Sequence, residues 1–150
     1  MKNKFYIFKI LFILIFNNLY AENILITANN ISMDKDNNTT IFKNEVTVKT
    51  KNKTFKSQYA KYDKEKGFLV LKESIIIFDE NNNTMNADHA EYNEKDEILK
   101  TFGKTRVITT EKYILNGKDL LIDNKNKIIK SESNSILEDQ DGNKIFLENF

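Results

Sequence analysis

A phrase of about thirty residues is written four times along this chain, and that period limits the possible folds more than any other feature. Its clearest copies are "KSQYAKYDK" (56–64) and "NADHAEYNE" (86–94). With Ala28, Ser57, Ala87 and Gly117 set in one column, the spacings are 29, 30 and 30. Apolar Ile31, Ala60, Ala90 and Leu120 stand three places on, followed by Met33, Tyr62, Tyr92 and Ile122, and then by Asp34, Asp63, Asn93 and Asp123. A fixed period of this length marks a stacked array, in which each unit buries its apolar face only against its neighbours.

The second half of each copy has its own columns. Phe42, Leu71, Thr101 and Ser131 are followed by Asn44, Glu73, Gly103 and Ser133, then by Val46, Ile75, Thr105 and Ser135, then by Val48, Ile77, Val107 and Leu137. These step by two, the period of a strand, and their residues are mostly β-branched, aromatic or Leu. Polar runs rich in Asp and Asn separate the strands: "DKDNN", "DKEKG", "NEKDE" and "DNKNK" within units, "KTKNK", "DENNN" and "DQDGN" between them. Asp and Asn start such turns because their side chains bond the local backbone and tolerate left-handed φ. In the first strand of each unit the apolar parity slips: Phe55 and Ser57 are one residue out of step with Ala60 and Tyr62, as are Met85 and Ala87 with Ala90 and Tyr92. A bulge or corner at that place reverses the inward face and bends the stack. The expected fold is all-β: a curled stack of antiparallel strand pairs, a folded sheet or flattened jelly roll, with one apolar interior.

The first residues stand apart from the repeat. Lys2 and Lys4 precede an apolar stretch, Phe5 to Phe16, broken once by Lys9, and Leu19-Tyr20-Ala21 ends a short polar segment. That is the form of a signal peptide, 1–21, cut after Ala21, with an uncleaved anchor as the alternative; the stretch is shorter than the roughly 20 apolar residues of a spanning helix. Residues 22–150 then form one domain exported across an inner membrane. It contains no Cys, so no disulfide supports it. The formal net charge is +1 with Lys and carboxylates interspersed, so no basic stripe invites nucleic acid.

Sites for chemistry are hard to find. His89 is the single histidine, and its column mates Asn30, Tyr59 and Asp119 make no ligand set. The carboxylates lie at turns or alternate outward among Lys, unlike a paired acid and base in a cleft. No Gly-rich phosphate loop is present. Tyr62 and Tyr92 read as a cross-strand aromatic ladder, or else as a ligand-stacking pair. Neither catalysis, a metal nor a cofactor is expected. What remains is the interior itself, which can take an acyl chain if the curled sheet leaves an open seam, each buried methylene contributing roughly 0.8 kcal/mol.

The phrase A-x-x-A-x-Y-(D/N), followed by an alternating strand with a central Gly, "KTFGKTRVIT" (100–109), resembles the OstA/LptA-type domain from about Ile24 onward, best over 55–110. Members of that family carry lipopolysaccharide through the periplasm. The domain occurs in the soluble LptA-type bridge, in an inner-membrane-anchored protein and before the barrel of the LptD-type outer-membrane protein. The resemblance implies a β-jellyroll groove that takes lipid A acyl chains, docking to other such domains through strand edges, and a periplasmic location, with attachment to the outer membrane left open. Carried over position by position, the groove residues are Phe42, Val46, Val48, Leu69, Leu71, Ile75, Ile77, Leu99 and Val107, with Ile26, Phe55, Tyr62, Met85, Tyr92 and Ile122 from the first strands. Asn44, Glu73 and Ser133 depart from the family's Gly column, and Ser131, Ser133 and Ser135 imply a narrow or wet groove in the fourth copy. Because Phe150 falls in the column of Ile31, Ala60, Ala90 and Leu120, "KIFLENF" reads as the start of a fifth copy, and the natural protein is expected to continue. Two other classes compete: an enzyme on a β-helix, such as a polysaccharide lyase, would show a charged cluster at one level of the stack, and an adhesive or structural β-repeat protein of the cell envelope would show more copies.

Overall fold

The structure, a computed structural model, describes residues 24–34 and 38–150; the expected signal segment, 1–21, lies outside them. In the described residues the chain runs through twelve strands: β1 (Leu25–Thr27), β2 (Asn30–Asp34), β3 (Thr39–Lys49), β4 (Lys53–Asp63), β5 (Phe68–Asp79), β6 (Thr84–Asn93), β7 (Ile98–Ile108), β8 (Ile114–Lys118), β9 (Leu121–Asp123), β10 (Ile128–Lys130), β11 (Ser135–Glu138) and β12 (Lys144–Leu147). All neighbours are antiparallel, and consecutive long strands pair in the order β3-β4-β5-β6-β7. This is the all-β meander that the repeat predicts.

The sheet is folded along a line that crosses every long strand. Register shifts fall at Lys43/Val46, Lys56/Tyr59, Lys72/Ile75 and Ala87/His89, in line across β3 to β7. One leaf is β2, the first halves of β3, β5 and β7, the second halves of β4 and β6, and then β9 and β10. The other is β1, the remaining halves, and then β8, β11 and β12. At the fourth unit the strands part altogether, β8 from β9 and β10 from β11, so each leaf continues on its own.

The fold line solves a parity problem. The first strand of a unit shifts its inward parity by one, so that Phe55 and Ser57, then Ala60, are buried, as are Met85 and Ala87, then Ala90, while the second strand carries one residue more than its partner at the line. The second strand turns through left-handed residues instead: Asn44 and Glu45 (φ 63 and 54), Glu73 and Ser74 (φ 66 and 54), and Gly103 (φ 79). This corrects the reading of an unbroken period of two in those strands. The column of Asn44, Glu73 and Gly103 is the corner itself and does not face inward; Asn44 and Glu73 are exposed. Gly103 stands there for its φ alone, since an added Cβ would meet nothing within 4 Å. Asn44 and Glu73 adopt the same conformation without glycine, so the departure from the Gly column leaves the bend intact.

The turns are built as their residue types predict. Asp63 Oδ1 accepts from Lys66 N–H at 3.0 Å, and Asp123 Oδ1 accepts from Asn126 N–H at 3.0 Å. Asp79 Oδ1 accepts from Asn81 and Asn83 N–H, and Asp139 Oδ1 from Asp141 and Asn143 N–H, all at 2.9 Å. Beyond β12 the backbone of Phe150 exchanges two hydrogen bonds with Ser131, at 2.8 and 3.1 Å.

Candidate functional site: the interior between the leaves

The inward columns of both leaves form one continuous apolar cluster. Phe42, Val46, Val48, Phe55, Leu69, Leu71, Ile75, Ile77, Met85, Tyr92, Leu99, Val107 and Ile122 are all buried in it, while Ile26 and Tyr62 pack at its margin, partly buried. The leaves meet across it: the Phe55 ring, on one leaf, lies 5.1 Å from the Tyr92 ring, on the other. Residues 37 positions apart therefore touch where the fold closes on itself.

Three positions next to the fold line were not among the groove residues expected from sequence, although their columns are the same. Ala60, Ala90 and Leu120 are fully buried and, with Leu71 and Ile75, make the floor of the interior. The small Ala60 and Ala90 leave room for the large residues of the second strands, and the thirty-residue period was the signal that could have found all three. In the third and fourth units the floor is instead Thr101, Thr105, Ser131 and Ser135, also buried. Their hydroxyls bond inside the protein.

Tyr62 and Tyr92 do not form the expected ladder. Leu69 stands between them in register, pairing with both. Tyr62 sits at the outer rim of its leaf, where its hydroxyl donates to Glu94 Oε2 at 2.8 Å. Desolvation first, and then that carboxylate, holds the phenol un-ionised well beyond the ordinary tyrosine range. His89 lies on the outer side of the fold line against the Phe102 ring, 4.8 Å between centroids, with Nε2 buried and without a hydrogen-bond partner. Among the described residues no group of three or more His, Asp or Glu is placed to hold a metal ion.

The rims of the two leaves are polar. Lys53, Asp79 and Glu80 from one rim and Glu97 and Asp123 from the other line a shared pocket of about 360 Å³, with Ile122 at its inner wall. Burial lowers the Lys53 ammonium pKa, against the pull of Asp79, Glu80 and Glu97. Nothing in the sequence singles out these rim residues, because they belong to turns about one and a half repeats apart. The ends of the interior differ from its sides in being apolar. Ile31 and Met33, in inward columns of β2, are 61% and 71% exposed, with no strand beyond them among the described residues. Ile145 on β12 is likewise 57% exposed. Together these features make a trough: an apolar interior walled by two leaves, with polar turns at the rims and exposed apolar side chains on its outermost described strands.

The fold is the LptA-like one. LptH, described as the LptA-homologous periplasmic component of the conserved lipopolysaccharide transport device of Pseudomonas aeruginosa, superposes with a TM-score of 0.66 over 84% of this chain and 94% of its own, at 9% sequence identity. No family profile and no curated protein matches the sequence.

Proposed function

We propose that this chain is a non-enzymatic carrier of lipopolysaccharide in the periplasm, holding lipid A acyl chains between its leaves and passing them to neighbouring domains docked on its strand edges. The observation that carries the reading is the apolar interior that runs the length of the stack and emerges uncovered at Ile31 and Met33. A core that served stability alone gains nothing from leaving such side chains in water at the edge of the sheet. The likeness to LptH in fold supports the same reading. An adhesive or structural array has no use for such a trough.

Transport needs no covalent step. Each methylene that leaves water for the interior contributes roughly 0.8 kcal/mol, and parting the leaves replaces one apolar contact by another. The polar rims keep the headgroup outside, because burying its charge unpaired is far more costly than burying its chains is favourable. The same interior is the core, so binding and stability are coupled through Leu71, Ile75 and their neighbours.

The test is site-specific photo-crosslinking with purified lipopolysaccharide. A photoreactive residue at 71 or 75 captures lipid, whereas one at 72, where Lys72 points outward, does not. The reverse pattern overturns the facing of the trough, and no capture at any inward position overturns the function. Leu71→Asp or Ile75→Asp abolishes capture by placing an unpaired charge in the interior, and Lys72→Asp is tolerated.

A further inference from the structure

The floor of the trough changes character along the fold line. On β3 it is Phe42 and Val46, and on β5 it is Leu71 and Ile75. The same two columns hold Thr101 and Thr105 on β7, and Ser131 and Ser135 in the fourth unit, equally buried. These hydroxyls tie the floor together. Thr105 Oγ1 donates to Thr101 Oγ1 at 2.7 Å, and Thr101 Oγ1 accepts from Leu120 N–H at 3.1 Å. Ser131 Oγ donates to the Lys118 carbonyl at 2.8 Å, across the break between β9 and β8.

The backbone at Gly117 is also tightly approached. A Cβ on Gly117 would stand 2.8 Å from Ser135 Oγ and 2.9 Å from Leu120 Cδ2, so not even a methyl group fits there without displacing its neighbours. In the first two units, where Thr39 and Ser57 are the buried hydroxyls, an entering methylene parts side chains held mostly by apolar burial and dispersion, and replaces what it removes. In the last two it has to break bonded hydroxyls and leave buried polar atoms unpaired, a loss that an alkyl chain does not compensate.

We propose that only the stretch of trough from β1 and β2 to β5 accepts acyl chain, and that Thr101, Thr105, Ser131 and Ser135, with the tight approach of Gly117 to Ser135, form an internal stop. This rests on the acyl-chain reading above and adds a polarity to it. Chains enter from the β1–β2 end or between the rims and do not thread past the fourth unit. Onward transfer at the β12 end therefore proceeds through parted rims and not along a continuous bore.

The experiment is methyl NMR on the unsubstituted chain titrated with nitroxide-labelled stearate, which supplies the acyl chain without a headgroup. The methyl signals of Val46, Leu71 and Ile75 are expected to broaden and disappear, while those of Leu115 and Leu137 in the fourth unit persist. Equal loss at Leu115 and Leu137 overturns the stop and leaves the acyl-chain reading standing. Persistence of every interior methyl signal overturns both. The double variant Thr105→Val with Ser135→Ala, which keeps volume and removes hydroxyls, is expected to extend the loss of signal to Leu115 and Leu137; an unchanged pattern overturns the assignment of the stop to these side chains.

Discussion

Glu73 is a charged, unbranched residue in a conformation that favours glycine. At φ 66 it turns β5 across the fold line as Gly103 turns β7 at φ 79. For an L-residue the left-handed region costs roughly 1–2 kcal/mol, and that cost is carried here because the bend lets both leaves bury their columns. Glu73→Gly is therefore expected to raise stability by about 1 kcal/mol, and Gly103→Ala to lower it by a similar amount, since strain is the only penalty where the added Cβ meets open space. Urea denaturation read by circular dichroism measures both. If Gly103→Ala is neutral, the corner is not strained and the account of this column fails. Leu71, buried on the floor of the trough, belongs to a different class: Leu71→Ala is expected to cost about 2–5 kcal/mol through the cavity it leaves.

Four hairpins are closed by an aspartate that bonds its own turn, at Asp63, Asp79, Asp123 and Asp139. The carboxylates of Asp63, Asp123 and Asp139 are held below the ordinary range: Asp63 first by the Lys66 backbone N–H, Asp123 and Asp139 first by the side-chain amides of Asn126 and Asn143. A depressed folded pKa means that the unfolded chain binds more protons as the pH falls. The contribution of these turns is thus complete above the unfolded value, about 4, and is lost as the pH drops through the lower folded values. The expected result is a Tm that is flat from neutral pH to about 5 and falls below about 4. The triple variant Asp63→Asn, Asp123→Asn, Asp139→Asn has a smaller acid-induced drop, starting from a lower Tm at neutral pH. An identical acid drop in the variant would show that other groups govern it.

Taken whole, the molecule is a one-dimensional stack with two unlike ends. The β1–β2 edge presents Leu25, Ile31 and Met33, and the β12 edge presents Ile145 and Phe146, all exposed. Backbone donors and acceptors along such edges bond to another strand when one is offered, and the two ends differ, so contacts run head to tail without closing a ring. The chain is expected to self-associate, or to dock a partner domain, with rising concentration. Ile31→Asp with Met33→Asp should weaken that association at least about tenfold, the equivalent of roughly 1.4 kcal/mol, as read by sedimentation equilibrium. A strictly monomeric wild-type chain over a wide concentration range defeats the edge-docking reading.

The thirty-residue period and the alternation of two inside it were enough to read an all-β stack of antiparallel strand pairs, the turns at Asp63, Asp79, Asp123 and Asp139, and the inward facing of residues from Phe42 to Ile122. These are local properties: the pleat sets side-chain direction, and Asp bonds its own backbone, whatever lies far away. The slip between Ser57 and Ala60 was legible too, because a change of parity shows in the pattern of apolar residues. The turn at Asn44 and Glu73 was not, since two left-handed residues bend the strand while preserving parity, and a glutamate does not announce that conformation. Nor could periodicity say that Tyr92 would meet Phe55 and not Tyr62, or that Lys53 would face Glu97 across the rims. Such contacts arise only once the sheet is folded over and the leaves are offset by more than one unit. That folding, set by left-handed residues and parity slips along one line, turns a repeated strand into a trough whose closure exists only in three dimensions.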